Sequence, residues 1–209
     1  MLRLPAFYPI LDTESAARRG IDPISAAGSI LEAGAQILQF RHKGFLSRET
    51  FEQIERIAAV CREARVPFVV NDRADLARLM GAALHLGQDD LPPATARRVT
   101  GPETLIGFST HNERQLRAAQ FEPVDYLALG PIFGTVSKQN PDPMVGLEEL
   151  RRLRPLTERP VVAIGGITRE NARDVLTAGA NSLAVIGDLF PQDGNLRPRV
   201  EEWLRLTAL

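Results

Sequence analysis

Residues 68–86, FVVNDRADLARLMGAALHL, hold the repeating unit of the fold: Phe68–Asn71 and Ala83–Leu86 are short apolar runs, and a longer segment with spaced charges lies between them. Short apolar runs bounded by polar residues or glycine read as strands buried on both faces, and the segment between reads as a helix, so the unit is strand, helix, strand. The alternation continues in both directions. Further candidate strands are residues 7–11, 36–41, 105–107, 125–129, 161–164 and 182–186, each flanked by glycine, proline or polar residues. Between them, Asp22-Pro23 joins a capping side chain to a proline at the first helical position, and Ser47 precedes Phe51, Ile54, Ile57 and Cys61 at helical spacing. Thr168 is expected to cap a helix running through Leu176. Eight strands, each followed by a helix or loop, predict an α/β protein: one (βα)₈ barrel of the TIM class, filling residues 1–209 as a single domain. An open doubly wound sheet is the alternative. It more usually has a Gly-rich turn after its first strand, and Leu11-Asp12-Thr13 is not one.

Composition narrows the function classes. With 25 basic and 26 acidic residues in 209, the overall balance gives no nucleic-acid or membrane surface, so charge arguments must be local. Cys61 is the only cysteine, which excludes an internal disulfide, suits a reducing compartment and is best read as helix packing. No run approaches the roughly 20 apolar residues of a membrane span. The opening MLRLPAFYPILDTES, broken by two prolines, is unlike a signal peptide, so a cytoplasmic protein is expected.

In such a barrel the residues just after each strand share one rim, and the chemistry-bearing residues fall there. Gln39, Arg41 and Lys43 alternate onto one side at the end of strand two and suit an anion with several oxygens. Strand three ends in Asn71-Asp72, and strand four leads through Gly87-Gln88 to Asp89-Asp90. Asp72 and Asp90, with Asp89 as competitor, would suffice for Mg²⁺, which takes one or two carboxylates plus water and phosphate oxygens. Taken singly, aspartates after strands are more often helix caps or turn formers.

Gly107-Phe108-Ser109 follows strand five. After strand six, Gly130-Pro131 opens the longest loop, which carries Thr135, Ser137 and Lys138 and is a candidate lid. Gly165-Gly166 and Gly187 follow strands seven and eight, where barrels commonly hold a phosphate on backbone N–H groups. His42, His85 and His111 have no metal-ligand spacing, and no Ser/His/Asp order forms a triad. His85 reads as a satisfied core histidine, and His111 as part of a helix start.

In order along the chain, QFRHK, NDRADLA, HLGQDD, GFSTH, GPIFGTVSK and AIGGI resemble the thiamine-phosphate synthase family at almost every rim segment, from Gln39 to Ile186. The resemblance implies transfer of an aminopyrimidine-methyl group from a diphosphate to a thiazole phosphate, with release of pyrophosphate. It also implies roles position by position. Gln39, Arg41, Lys43, Asn71, Ser109 and Lys138 would hold the pyrimidine diphosphate, with Arg41, Lys43, Ser109 and Lys138 the catalytic contacts. Asp72 and Asp90 would hold Mg²⁺, and Thr135, Ser137, Gly166, Ile186 and Gly187 the thiazole phosphate. A homodimer is the expected assembly.

The chain departs from the family pattern in places. His42 stands where an acidic residue is usual and should point away from the mouth. GAALH is one residue short before strand four, which leaves the register there open. Ser137 stands where threonine is usual and keeps the hydroxyl. Gly187-Asp188 replaces a serine and a small residue. A carboxylate beside a phosphate costs affinity unless it turns to solvent or pairs, so Asp188→Ser is expected to tighten thiazole phosphate binding. Three rival readings are a thiazole tautomerase, a non-catalytic phosphate-ester-binding barrel and a sugar-phosphate isomerase. The first places a histidine where this chain has Pro131, and the third leaves Asp72 and Asp90 unexplained.

Overall fold

In the computed structural model, which describes residues 2–135 and 142–208, the strands close into one parallel barrel in sequence order, β1 to β8. They are β1 (Phe7–Asp12), β2 (Leu38–Arg41), β3 (Phe68–Asn71), β4 (Ala83–Leu86), β5 (Ile106–Thr110), β6 (Tyr126–Leu129), β7 (Val161–Ile164) and β8 (Ser182–Val185). Three of these match the sequence reading residue for residue. The largest difference is β5, which runs on to Thr110 instead of stopping at Gly107. Its Phe108-Ser109-Thr110 lacks a continuous apolar run, and the ladder to Tyr126–Leu129 nevertheless carries it through.

Helices α2 (Pro23–Glu32) and α3 (Arg48–Glu63) begin as their caps require: Asp22 accepts from the Ser25 N–H at 2.8 Å and Ser47 from the Thr50 N–H at 3.1 Å. Thr168 caps nothing, because α8 starts later (Ala172–Thr177) and the Thr168 N–H itself donates to Asn171 Oδ1. The short GAALH stretch resolves cleanly. Gly81 ends α4 (Ala74–Met80) in the left-handed region at φ +61°, a turn glycine makes without a Cβ clash, and Val69 to Asn71 then pair in register with Ala83 to His85.

Apolar packing falls into two layers. Leu, Ile and Phe side chains fill the space between sheet and helices, where Trp203 of α9 (Leu196–Thr207) stacks on Phe7 with ring centroids 5.4 Å apart. Inside the barrel, Tyr8, Ile10, Ile37, Val69, Tyr126, Ala128, Val162 and Ala184 pack together. Gly107 faces inward here, not onto the rim. It lies opposite Tyr126 in the ladder, and a Cβ on it would come within 2.0 Å of that ring. No helix among the described residues is long and apolar enough to cross a membrane.

Candidate active site

Arg41 stands on the inward face of β2, as the alternation requires, Lys43 follows two residues past the strand end, and each is held by a carboxylate from a neighbouring strand end. Arg41 pairs with Asp12 at the end of β1 at 2.5 Å, and Lys43 pairs with Asp72 after β3 at 2.5 Å. Asp12 is almost wholly buried and also takes the Ser15 N–H and hydroxyl at 2.9 and 2.7 Å, so one carboxylate caps a helix and aims a guanidinium. Sequence reasoning passed over Asp12, although an aspartate ending a strand was the available signal. Gln39 lies one layer deeper than Arg41, buried, with its Nε2 donating to the Tyr8 hydroxyl at 3.0 Å.

Asp72 and Asp90 come together. Asp72 sits at φ +65°, a strained backbone for a residue with a Cβ, held by a bond from its N–H to the His85 carbonyl at 2.8 Å. Burial and the nearby Asp90 carboxylate push its carboxyl up to about 6, and Lys43 opposes them. Asp90 is turned back by the Gly87 N–H, which donates to its Oδ2 at 2.6 Å, while Asp89 is exposed. Of the two carboxylates at the end of β4, Asp90 is thus the one beside Asp72. Among the described residues no group of three or more His, Cys, Asp or Glu side chains is placed to hold a metal ion. A pair of carboxylates beside a lysine and open to solvent is, however, a donor set that magnesium accepts, since the ion keeps most of its waters.

Asn71 beside Asp72 is buried with its Nδ2 lacking any hydrogen-bond partner. A donor left in that state points to a ligand oxygen as its partner. Lys43, Asn71 and Asp72 also line a cavity of about 210 Å³ that reaches behind the rim toward the helices, where His42, Arg73 and the apolar Phe40, Ile54, Val70 and Leu76 complete it. The His42 ring itself turns outward, as expected, bonding the Thr13 hydroxyl at 2.8 Å and stacking on Phe40.

Ser109 stands on β5 with its Oγ 2.9 Å from His85 Nε2. His85 is a buried and satisfied histidine, and burial lowers its pKa to about 4, so the ring is neutral. His111 does more than begin a helix. Asn112 caps α6 (Glu113–Ala119), and the His111 ring bonds the Gly130 carbonyl at 2.5 Å.

The loop after β6 is pinned at its base to β7: the Ile132 and Phe133 N–H groups donate to the Ile164 and Gly165 carbonyls at 2.9 and 3.0 Å. This crossing explains the glycines. A Cβ on Gly130 would lie 2.1 Å from the Ile164 carbonyl, and one on Gly166 2.5 Å from the Gly134 carbonyl. The close approach at Gly165-Gly166 is thus first made by the protein's own loop. Thr135 lies within that loop, at the edge of the described residues, and Ser137 and Lys138 lie outside them. Beyond β8, Ile186 leads into a 3₁₀ turn, Gly187–Leu189. Asp188 is paired, which removes the expected repulsion: Arg169 Nε reaches it at 2.9 Å and Arg199 Nη1 at 3.1 Å.

A family profile described as thiamine monophosphate synthase matches residues 7–189. The chain belongs to the thiamine monophosphate synthase family. Among relatives, the thiamine-phosphate synthase of Koribacter versatilis is 46% identical across 98% of this chain and 97% of its own, and that of Persephonella marina 37% identical across 90% of each. Among solved structures, the thiamine phosphate pyrophosphorylase of Pyrococcus furiosus superposes with a TM-score of 0.84 at 32% identity, over 96% of this chain and 94% of its own. The family resemblance seen in the rim motifs and the barrel therefore agree. Pro131, where the tautomerase reading needs a histidine, offers no proton-transfer group and uses its carbonyl to accept from Val145 at 2.7 Å.

Proposed function

We propose that this member of the thiamine monophosphate synthase family joins an aminopyrimidine bearing a diphosphate on its methylene carbon to a thiazole phosphate, giving thiamine phosphate and pyrophosphate. The observation that carries the reading is the meeting of Lys43, Asp72 and Asp90 beside the buried, unpartnered amide nitrogen of Asn71. In the reaction the carbon–oxygen bond to the diphosphate breaks, its electron pair leaving with the diphosphate. The pyrimidine-stabilised cation that remains is captured by the thiazole nitrogen lone pair. Such a substitution needs stabilisation of a departing anion and alignment of two reactants more than it needs a strong base. A site without a triad fits that need.

Arg41 and Lys43 would bind the diphosphate oxygens, Asn71 Nδ2 would donate to one of them, and Ser109 would add a hydroxyl. Gln39 would act from beneath the pyrimidine, and Lys138 from the loop after β6. Asp72 and Asp90 would hold Mg²⁺, which when bound neutralises charge on the leaving diphosphate. Thr135, Ser137 and the backbone at Gly166, Ile186 and Gly187 would hold the thiazole phosphate. Asp188, neutralised by Arg169 and Arg199, would fix the Gly187–Leu189 turn without opposing it. The substrates are small molecules, and neither nucleic acid nor a membrane enters the reading. The free thiol of Cys61 suits the cytoplasm, and two copies would form the working assembly.

The reading is tested by mixing the protein with both substrates and magnesium and following thiamine phosphate and pyrophosphate together. Equal release of the two is expected, and no turnover under varied pH and metal would overturn it.

A further inference from the structure

Five side chains from five strands form a hydrogen-bonded chain across the barrel interior, and the reaction as proposed uses only its two ends. Gln39 Nε2 donates to the Tyr8 hydroxyl at 3.0 Å, and the Tyr8 and Tyr126 hydroxyls are 2.8 Å apart. Tyr126 Oη lies 3.1 Å from His85 Nδ1, and His85 Nε2 lies 2.9 Å from Ser109 Oγ. Gln39, Tyr8, Tyr126 and His85 are buried, whereas Ser109 is partly open.

Counting hydrogens gives the chain a direction. The Tyr8 oxygen receives the Gln39 N–H, and its own hydrogen has the Tyr126 oxygen as acceptor. The Tyr126 hydrogen is then left with His85 Nδ1. A neutral imidazole that accepts at Nδ1 carries its hydrogen on Nε2 and donates it to Ser109 Oγ. The Ser109 hydrogen is thereby left for the mouth. The opposite direction would aim two donors at the Tyr8 oxygen, strand the Tyr8 hydrogen in an apolar interior and turn the Ser109 hydrogen inward. Ser109 would then present only lone pairs to an anion. The ring has no carboxylate bonded to either nitrogen, and although the Asp90 charge favours an imidazolium, burial and the Lys43 charge outweigh it, so the ring is neutral.

We propose that Tyr8, Tyr126 and His85 are positioning residues that lock the His85 ring in its Nε2–H tautomer and commit the Ser109 hydroxyl as a donor toward the diphosphate oxygens of the substrate. The identity of that substrate rests on the reaction proposed above, but the tautomer does not.

Two measurements test this. The first is long-range ¹⁵N–¹H correlation on histidine-labelled protein without substrates at pH 7, with the three histidines assigned by single variants. The expected result is an Nε2–H tautomer for His85. An Nδ1–H tautomer or a charged ring overturns the proposal, and neither outcome depends on turnover. The second is a cycle of Tyr126→Phe, Ser109→Ala and the double variant. Tyr126→Phe is expected to lower kcat roughly tenfold, the worth of one well-placed hydrogen bond, with KM changed by less than about twofold. It is expected to cost nothing further once Ser109 is alanine. Losses that multiply in the double variant overturn the proposal. If Tyr126→Phe does not fold, Tyr8→Phe takes its place in the cycle. An Nε2–H ring in a protein with no turnover would sink the reaction and leave the relay standing.

Discussion

Asp188, in the 3₁₀ turn after β8, is bound through its carboxylate by Arg169, from the segment after β7, through Nε at 2.9 Å and Nη2 at 3.4 Å, and by Arg199 of α9 through Nη1 at 3.1 Å. One carboxylate thus ties together two rim segments and the last helix. It is also the residue that, judged from sequence, should repel a phosphate.

Asp188→Ser is therefore expected to destabilise the protein by about 1–3 kcal/mol, because two part-buried arginines lose their shared acceptor. The KM for the thiazole phosphate should rise or stay unchanged. Thermal unfolding and steady-state kinetics check both. A KM that falls with stability intact would mean that Asp188 does act on the phosphate.

Gly166→Ala should lower stability by about 1–3 kcal/mol or more and cut turnover, since the residue has φ +63° and the added methyl would meet the Gly134 carbonyl at 2.5 Å. The loop after β6 would be pushed off β7. Chemical denaturation is the check. A variant as stable and active as the parent would show that the crossing of loop and strand is looser than described.

Asp72 and His85 set opposing pH dependences of stability. The Asp72 carboxyl is raised from 3.8 to about 6, so between those values the folded protein holds the proton more than the unfolded chain does, and stability falls as pH rises. The His85 ring is lowered from 6.5 to about 4, so over that window the unfolded chain holds more protons and stability rises with pH. Each effect is worth about 3 kcal/mol at most, and in the parent they largely cancel. Denaturant unfolding from pH 4 to 7 should give, relative to the parent, a profile that falls with pH for His85→Gln and one that rises with pH for Asp72→Asn, the other carboxylates contributing alike to all three. Identical slopes in all three would contradict the assignment. Magnesium should stabilise the parent above pH 6 and fail to stabilise Asp72→Asn.

The barrel was legible because its strands are short apolar runs that need no partner to be recognised, and Val161–Ile164 or Phe68–Asn71 are read directly. Strand β5 was cut short because Ser109 and Thr110 are polar yet lie in the ladder, where a neighbouring strand satisfies them: the Thr110 hydroxyl donates to the Ala128 carbonyl at 2.9 Å. The carboxylate pair was legible from its position after β3 and β4. Position alone left Asp89 as a competitor, and the preference for Asp90 came from the family resemblance; the turn that aims Asp90 at the Gly87 N–H exists only in the fold. Asp12, Tyr8 and Tyr126 escaped notice because their roles exist only between strands, with Tyr8 and Tyr126 separated by 118 positions. The neutralisation of Asp188 was hidden for the same reason, as Arg169 and Arg199 reach it from separate segments.

The most direct test is product formation by the parent and by Asp90→Ala, each with and without magnesium. The account predicts thiamine phosphate and pyrophosphate in equal amounts from the parent, loss of both when magnesium is chelated, and at least a roughly hundredfold lower rate in Asp90→Ala at any magnesium concentration. A parent that makes neither product, or an Asp90→Ala variant as fast as the parent, would contradict it.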